Sequence, residues 1–135
     1  HVYSEGGAIT RFLKTKDLIG YAPSYDYLHV CWMDSGPNCM TCGKCRRTLV
    51  TLDALGALDK YARSFDIDYY RKHRRDYLKW LYRQVTFPGG DKMVGEAYDI
   101  LRSDIDLRIK IGSWIRWLAG RLRAGLRMMV KMVTN

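Results

Sequence analysis

The stretch Cys31-Trp32-Met33-Asp34-Ser35-Gly36-Pro37-Asn38-Cys39-Met40-Thr41-Cys42-Gly43-Lys44-Cys45-Arg46-Arg47 holds all four cysteines of the chain, spaced C-x7-C-x2-C-x2-C. Thiols packed this densely between two regular elements point to a metal. Zinc takes soft thiolates at tetrahedral corners, and C-x2-C turns bring two sulfurs onto one ion. Here two such turns overlap through Cys42, and Cys31 supplies the fourth sulfur from the segment before the loop. Cys31, Cys39, Cys42 and Cys45 are therefore the candidate ligands of one zinc. Four thiolates leave no open coordination position, so the expected role is structural rather than catalytic. An iron–sulfur cluster, which also takes four cysteines, is the strongest rival. A redox C-x2-C pair would leave Cys31 unexplained, and two disulfides would require an oxidising compartment. Lys44, Arg46 and Arg47 are expected to offset the charge of the thiolates.

Outward from this loop, Leu28 to Trp32 reads as a short buried strand that delivers Cys31. His29 within it is expected to be a satisfied core residue rather than a ligand. Asp34 to Asn38 is a strong loop signal. Upstream, residues 1–10 read as a loop with a short strand at Val2-Tyr3. Thr10 to Ile19 reads as a helix stopped by Gly20 and Pro23, with a further turn or short helix over Pro23 to Tyr27. Downstream, Thr48 to Tyr61 reads as a helix with Leu49, Leu52, Leu55 and Leu58 on one side, and Gly56 suggests a close helix contact. Ser64 or Asp66 caps a second helix from Ile67 to about Val85. Pro88-Gly89-Gly90-Asp91 is the clearest break, with Asp91 a candidate N-cap. From Lys92 the chain reads as helical to its end, with a bend near Gly112.

The chain has 135 residues, 47% of them apolar, which excludes global disorder. It carries 23 Lys and Arg against 14 Asp and Glu, a net charge of +9. That excess suits phosphate, nucleic acid or an anionic membrane surface. No secretory-signal pattern opens the sequence, and no apolar run reaches the ~18 residues of a membrane span. A cytoplasmic location is the expectation. The sequence opens at His1 rather than Met, which suggests part of a longer protein.

The run Leu28-His29-Val30-Cys31-Trp32, the Gly- and Asn-containing loop, and Cys39-Met40-Thr41-Cys42-Gly43-Lys44-Cys45-Arg46-Arg47 resemble the C-terminal zinc region of the 7-cyano-7-deazaguanine synthase-like proteins. These belong to the PP-loop ATP pyrophosphatase superfamily. Thr10 to Lys16 is similar to the helix that precedes the zinc loop there, and the likeness covers roughly residues 8–60. The family's SGGxDS nucleotide loop is not among these residues, and Ser4-Glu5-Gly6-Gly7 has the wrong order to replace it. The helical patterns predict a mainly α chain, a helical domain with a short strand leading into a four-Cys zinc loop. The resemblance implies that it is the C-terminal part of a larger α/β protein, although the family does not itself suggest the helices after residue 60. Residues 1–60 would carry the zinc knuckle. Residues 61–135 would be a helical extension ending in a basic amphipathic helix. ATP would belong to the parent protein only, a ligase- or synthase-like enzyme, and the expected partner is its N-terminal nucleotide-binding part or another subunit. No residue of this chain is expected to be catalytic.

Two helical stretches carry other expectations. Arg71, Lys72, Arg74, Arg75 and Lys79 interleave with Tyr69, Tyr70, Tyr77, Trp80 and Tyr82, a pattern open to phosphate contact and base stacking. The alternative function is thus a zinc-stabilised nucleic-acid-binding module. The plainer reading is aromatic packing beneath a solvated basic face. In the last stretch, Ile111, Trp114, Ile115, Leu118, Leu122, Leu126, Met129, Val130 and Val133 form an apolar stripe at heptad-like spacing. Packing on the helices at 48–85 or pairing in a homo-oligomer comes first for this stripe, and a membrane surface second.

Overall fold

The computed structural model describes residues 9–33 and 36–133, with side chains described as far as residue 124. Among the described residues six α-helices run in order: α1 Arg11–Leu18, α2 Ser24–Tyr27, α3 Gly43–Ala54, α4 Ile67–Thr86, α5 Gly95–Leu101 and α6 Leu107–Val133. Single 3-10 turns at Leu58–Tyr61, Lys92–Val94 and Arg102–Asp104 join the later ones. The fold is mainly α. The expected loop and strand within residues 1–8 lie outside the described residues, as do Asp34 and Ser35 of the loop.

Helix α4 is the axis. Ile67, Tyr70, Tyr77, Leu78, Leu81 and Tyr82 are its buried residues, and their spacing of three, four and seven lays one stripe along it. Asp66 caps it, its carboxylate accepting from the Tyr69 amide at 2.8 Å. α3, α5 and the start of α6 pack around this stripe, and Leu49, Leu52, Leu81 and Val94 are fully buried between them. Each such aliphatic side chain contributes about 1.5–3 kcal/mol by leaving water. The core cluster draws on residues from both sides of position 60.

Tyrosines fill this core without stranding their hydroxyls. Tyr61, fully buried, shares a 3.0 Å hydrogen bond with Ser24. Tyr70 donates to Asp53 at 2.8 Å, and Tyr77 donates to the Met40 carbonyl at 2.7 Å. A buried hydroxyl needs such a partner to avoid its desolvation cost.

Several expectations change. Leu28 to Trp32 forms no strand, and there is no strand among the described residues. No neighbouring strand is there to pair with it, and a side chain takes that role, as described below. Helix α3 starts at Gly43 rather than Thr48, because Cys42 caps it, its sulfur accepting from the Cys45 amide. The same helix ends at Ala54, before Tyr61. Gly56 adopts φ +63°, with nothing within 4 Å of where a Cβ would sit. Its amide bonds Asp53 O at 3.0 Å and the Ala57 amide bonds Leu52 O at 2.9 Å. That is a Schellman stop, not a close helix contact.

The break before α6 falls at Ile105-Asp106, and the helix continues through Gly112. Asp106 caps it, accepting from the Ile109 amide at 2.7 Å. The Pro88–Asp91 turn is as expected. At Gly90 a Cβ would lie 1.8 Å from the Gln84 carbonyl oxygen, so no other residue fits. Asp91 caps the following turn, accepting from the Met93 amide at 3.0 Å.

Candidate metal centre

The four cysteine sulfurs all lie within 4.8 Å of one another. Cys31 and Cys42 are 4.0 Å apart and Cys39 and Cys45 are 3.9 Å apart. A tetrahedral ion with metal–sulfur bonds of about 2.3 Å places its ligands about 3.8 Å from each other. The quartet therefore has the dimensions of one four-thiolate site. A disulfide needs about 2.05 Å between sulfurs, and all four cysteines are free.

Local rules build this geometry. Cys39-Met40-Thr41-Cys42 folds back on itself: the Cys42 amide donates to Cys39 Sγ at 3.3 Å, and Thr41 Oγ1 approaches the same sulfur at 3.7 Å. The turn carries Met40 at φ +63°, the one non-glycine residue with positive φ among the described residues. Such a backbone is costly for a side-chain-bearing residue. Met40 is held there at both ends, its side chain buried and its carbonyl bonded to Tyr77. The second turn is the first turn of α3, where the Cys45 amide donates to Cys42 Sγ at 3.4 Å. The N-terminal end of a helix also favours thiolate charge.

Cys31 is delivered by Asn38, a residue with no role in the expected site. Its Oδ1 accepts from the amides of Val30 at 3.0 Å and Cys31 at 3.2 Å. Its Nδ2 donates to Leu28 O at 2.9 Å and Ser64 O at 2.8 Å. A single buried side chain thus satisfies the extended backbone that a sheet partner would otherwise satisfy, and pins it to the turn before α4. No periodicity marks Asn38, because its partners lie 10 and 26 residues away. The link from Tyr77 to the cysteine turn is unmarked for the same reason. The burial pattern of Tyr77 is legible, but not the carbonyl it binds.

The thiols differ in acidity. Burial raises the thiol pKa at Cys39, but the Cys42 amide, the Cys31 thiol and the Thr41 donors outweigh it and bring Cys39 down to about 6. Cys42 is also lowered, burial being outweighed mainly by the Cys45 amide. Cys45 moves the other way, pushed up first by burial and then by Cys42. Cys39 and Cys42 are thus more acidic than Cys45. A bound dication would allow all four to ionise.

The expected counter-cations are partly engaged elsewhere. Arg47 binds Asp91 through Nε at 2.6 Å and through a second guanidinium nitrogen. Lys44 Nζ sits 3.9 Å over the Trp32 ring, and Arg46 lies 5.9 Å from the Tyr77 ring centre. His29 is exposed and is not one of the clustered donors.

Four of the five basic residues of α4 singled out above are tied to carboxylates. Arg71 pairs with Asp59 at 2.5 Å, Arg75 with Asp106 at 3.4 Å and Lys79 with Asp76 at 2.9 Å. Arg74 bridges Asp53 at 2.7 Å and Asp104 at 2.6 Å. Among the described residues, Lys72 alone of the five has no carboxylate partner. Of the interleaved aromatics, Tyr70, Tyr77 and Tyr82 are buried, and Tyr69 stacks on His73 at 4.1 Å.

Comparison with protein-family models, curated proteins and solved structures finds no match to this chain.

Proposed function

We propose that the chain is a zinc-stabilised helical region of a 7-cyano-7-deazaguanine synthase-like PP-loop enzyme, supporting a nucleotide-dependent site without itself being catalytic. One observation carries the reading: four free cysteines, at C-x7-C-x2-C-x2-C, with their sulfurs within 4.8 Å of one another. This spacing suits a single tetrahedral ion. An iron–sulfur cluster is several atoms across and asks for more widely separated sulfurs. Zinc fits the donor set as a closed site, held by Cys31, Cys39, Cys42 and Cys45. The ion would tie the segment before the loop to the N-terminus of α3. The exposed Trp32 and Met33 then sit on a fixed support beside the site.

The superfamily assignment rests on the sequence around these cysteines. It puts ATP binding on an SGGxDS-type loop outside these residues, on the same polypeptide or on another subunit. Two measurements test the two halves separately. Elemental analysis of the purified chain should give about one zinc per chain. Stoichiometric iron with sulfide, or a metal-free folded chain, would overturn the metal assignment. ATP cleavage to AMP and pyrophosphate, by the full-length protein or by the chain with its nucleotide-binding subunit, tests the enzyme assignment. A parent sequence and partners lacking any such loop would overturn it.

A further inference from the structure

Helix α6 outruns the core it starts on. Ile105, Ile109 and Ser113 are buried against the rest of the molecule. From Leu118 to Ala124 no side chain is buried. Phe87 bridges the two regimes, stacked on Trp117 at 5.1 Å and edge-on to Trp114 at 4.9 Å.

The expected apolar stripe faces away from the core. Leu107 is 69% exposed, Ile111 49%, Trp114 44%, Ile115 62%, Leu118 50% and Leu122 69%. At about 100° per residue these six fall in one sector about 100° wide, opposite Ile109 and Ser113. Arg108 borders one edge of the sector, and Lys110 and Arg121 border the other. Arg121 also lies 4.9 Å from the Trp117 ring centre. After Asp106 the sequence has seven Lys and Arg and no Asp or Glu.

We infer that α6 is an interfacial helix that lies on an anionic membrane surface. Charge decides between the available occupants. A second copy would bring its own cation-bordered stripe, with no carboxylate on either helix to pair across the contact. A leaflet with anionic headgroups supplies negative charge along both borders and an apolar layer beneath the stripe. Trp114 occupies the headgroup level, where an amphipathic ring is favoured. The helix lies on the surface and does not cross it: among the described residues no helix is long and apolar enough to span a membrane. The surface also supplies the packing that a glycine-containing helix lacks in water beyond the core.

Co-sedimentation of the whole chain with vesicles tests this. Vesicles of phosphatidylcholine with added phosphatidylglycerol should pellet the protein, and phosphatidylcholine alone should do so at least about tenfold more weakly. Leu118→Asp, at an exposed position, should weaken binding at least about tenfold with the circular dichroism spectrum unchanged. Inorganic phosphate should weaken binding no more than chloride at the same ionic strength does. The inference is overturned by no pelleting, by equal pelleting with both vesicles, by Leu118→Asp binding unchanged, or by displacement with free phosphate beyond that with chloride. A stable dimer that Leu118→Asp dissociates would assign the stripe to a second copy instead. None of these outcomes depends on the metal or on ATP.

Discussion

The hydroxyl of Tyr77 donates a 2.7 Å hydrogen bond to the carbonyl of Met40, the residue that turns the first C-x2-C through φ +63°. This bond couples the long core helix to the bend that sets the spacing of Cys39 and Cys42. Tyr77→Phe keeps the ring packing and strands a buried carbonyl, at a cost of about 1–3 kcal/mol. The urea midpoint should fall with an unchanged slope, and a chelator should strip the metal faster than from the parent protein. If only the midpoint moves, the bond serves the core alone.

Asn38 is the second prop of the site. Asn38→Ala leaves two amides and two carbonyls without their partner. Water can reach some of them, so the expected loss is about 2–4 kcal/mol rather than the full sum. Cobalt substitution reads the coordination directly: four-thiolate absorption should weaken as Cys31 drifts from the other three sulfurs. Asn38→Asp should be nearly as damaging, because a carboxylate has no N–H to give to Leu28 and Ser64.

Removal of a ligand should cost more than removal of a prop. Cys42 is at once a donor to the quartet, the cap of α3 and the acceptor for the Cys45 amide. Cys42→Ser should therefore abolish metal retention and lower the melting temperature by many degrees, because binding free energy at a structural site is folding free energy. Acid should mimic the mutation. Ligand thiolates take up protons as pH falls, so metal is held at neutral pH and released on acidification. Zinc release followed with a chromogenic chelator checks both.

The mainly helical character and the grouping of the four cysteines are legible in the sequence, while the links between distant parts are not. The α4 stripe, its Asp66 cap and the cysteine spacing are local patterns, and local patterns decide such features. Leu28 to Trp32 looked like a strand because apolar alternation does not distinguish a sheet partner from an asparagine side chain that satisfies the same amides. The cysteine spacing marks Cys42 as a candidate ligand, and nothing in that spacing marks it also as the cap that starts a helix. The Ile111 to Leu122 stripe has core-like periodicity, yet the molecule buries Ile105, Ile109 and Ser113 instead. A helix pattern shows that a face is apolar without showing what covers it.

The carboxylates around α4 separate a folding role from a binding one. Arg74 reaches Asp53, which also accepts from the core tyrosine Tyr70, and Asp104 at the end of the last turn before α6. Arg74→Ala unpairs both, and Asp53 is the more buried of the two. The expected loss is about 1–2 kcal/mol, moderated by solvent at the partly exposed guanidinium. Lys72→Ala, with no carboxylate to unpair, should stay within about 0.5 kcal/mol of the parent. If the face also served nucleic acid, both substitutions would weaken binding and flatten its salt dependence, Lys72→Ala without any loss of stability. Urea unfolding and a salt-dependent binding titration on the same pair of variants decide the question.

Gly90 sets the approach of the α4–α5 turn to the end of α4. Any Cβ there would overlap the Gln84 carbonyl, with 1.8 Å to the oxygen and 2.6 Å to its carbon. Both contacts are with backbone, so no side-chain rotation relieves them. Gly90→Ala must displace the turn, and with it Asp91, whose amide donates to Gln84 Oε1 at 3.0 Å and whose carboxylate holds Arg47. Arg47 lies two residues past the last ligand, Cys45. The substitution should therefore cost about 2–4 kcal/mol of stability and also loosen the metal site. A Gly89→Ala control changes only a residue at φ +80° with open space around it. It should cost about 1 kcal/mol, as for alanine forced into a left-handed backbone. Chevron-free equilibrium unfolding, with metal release measured in parallel, distinguishes them: Gly90→Ala should move both readouts, and Gly89→Ala only the first.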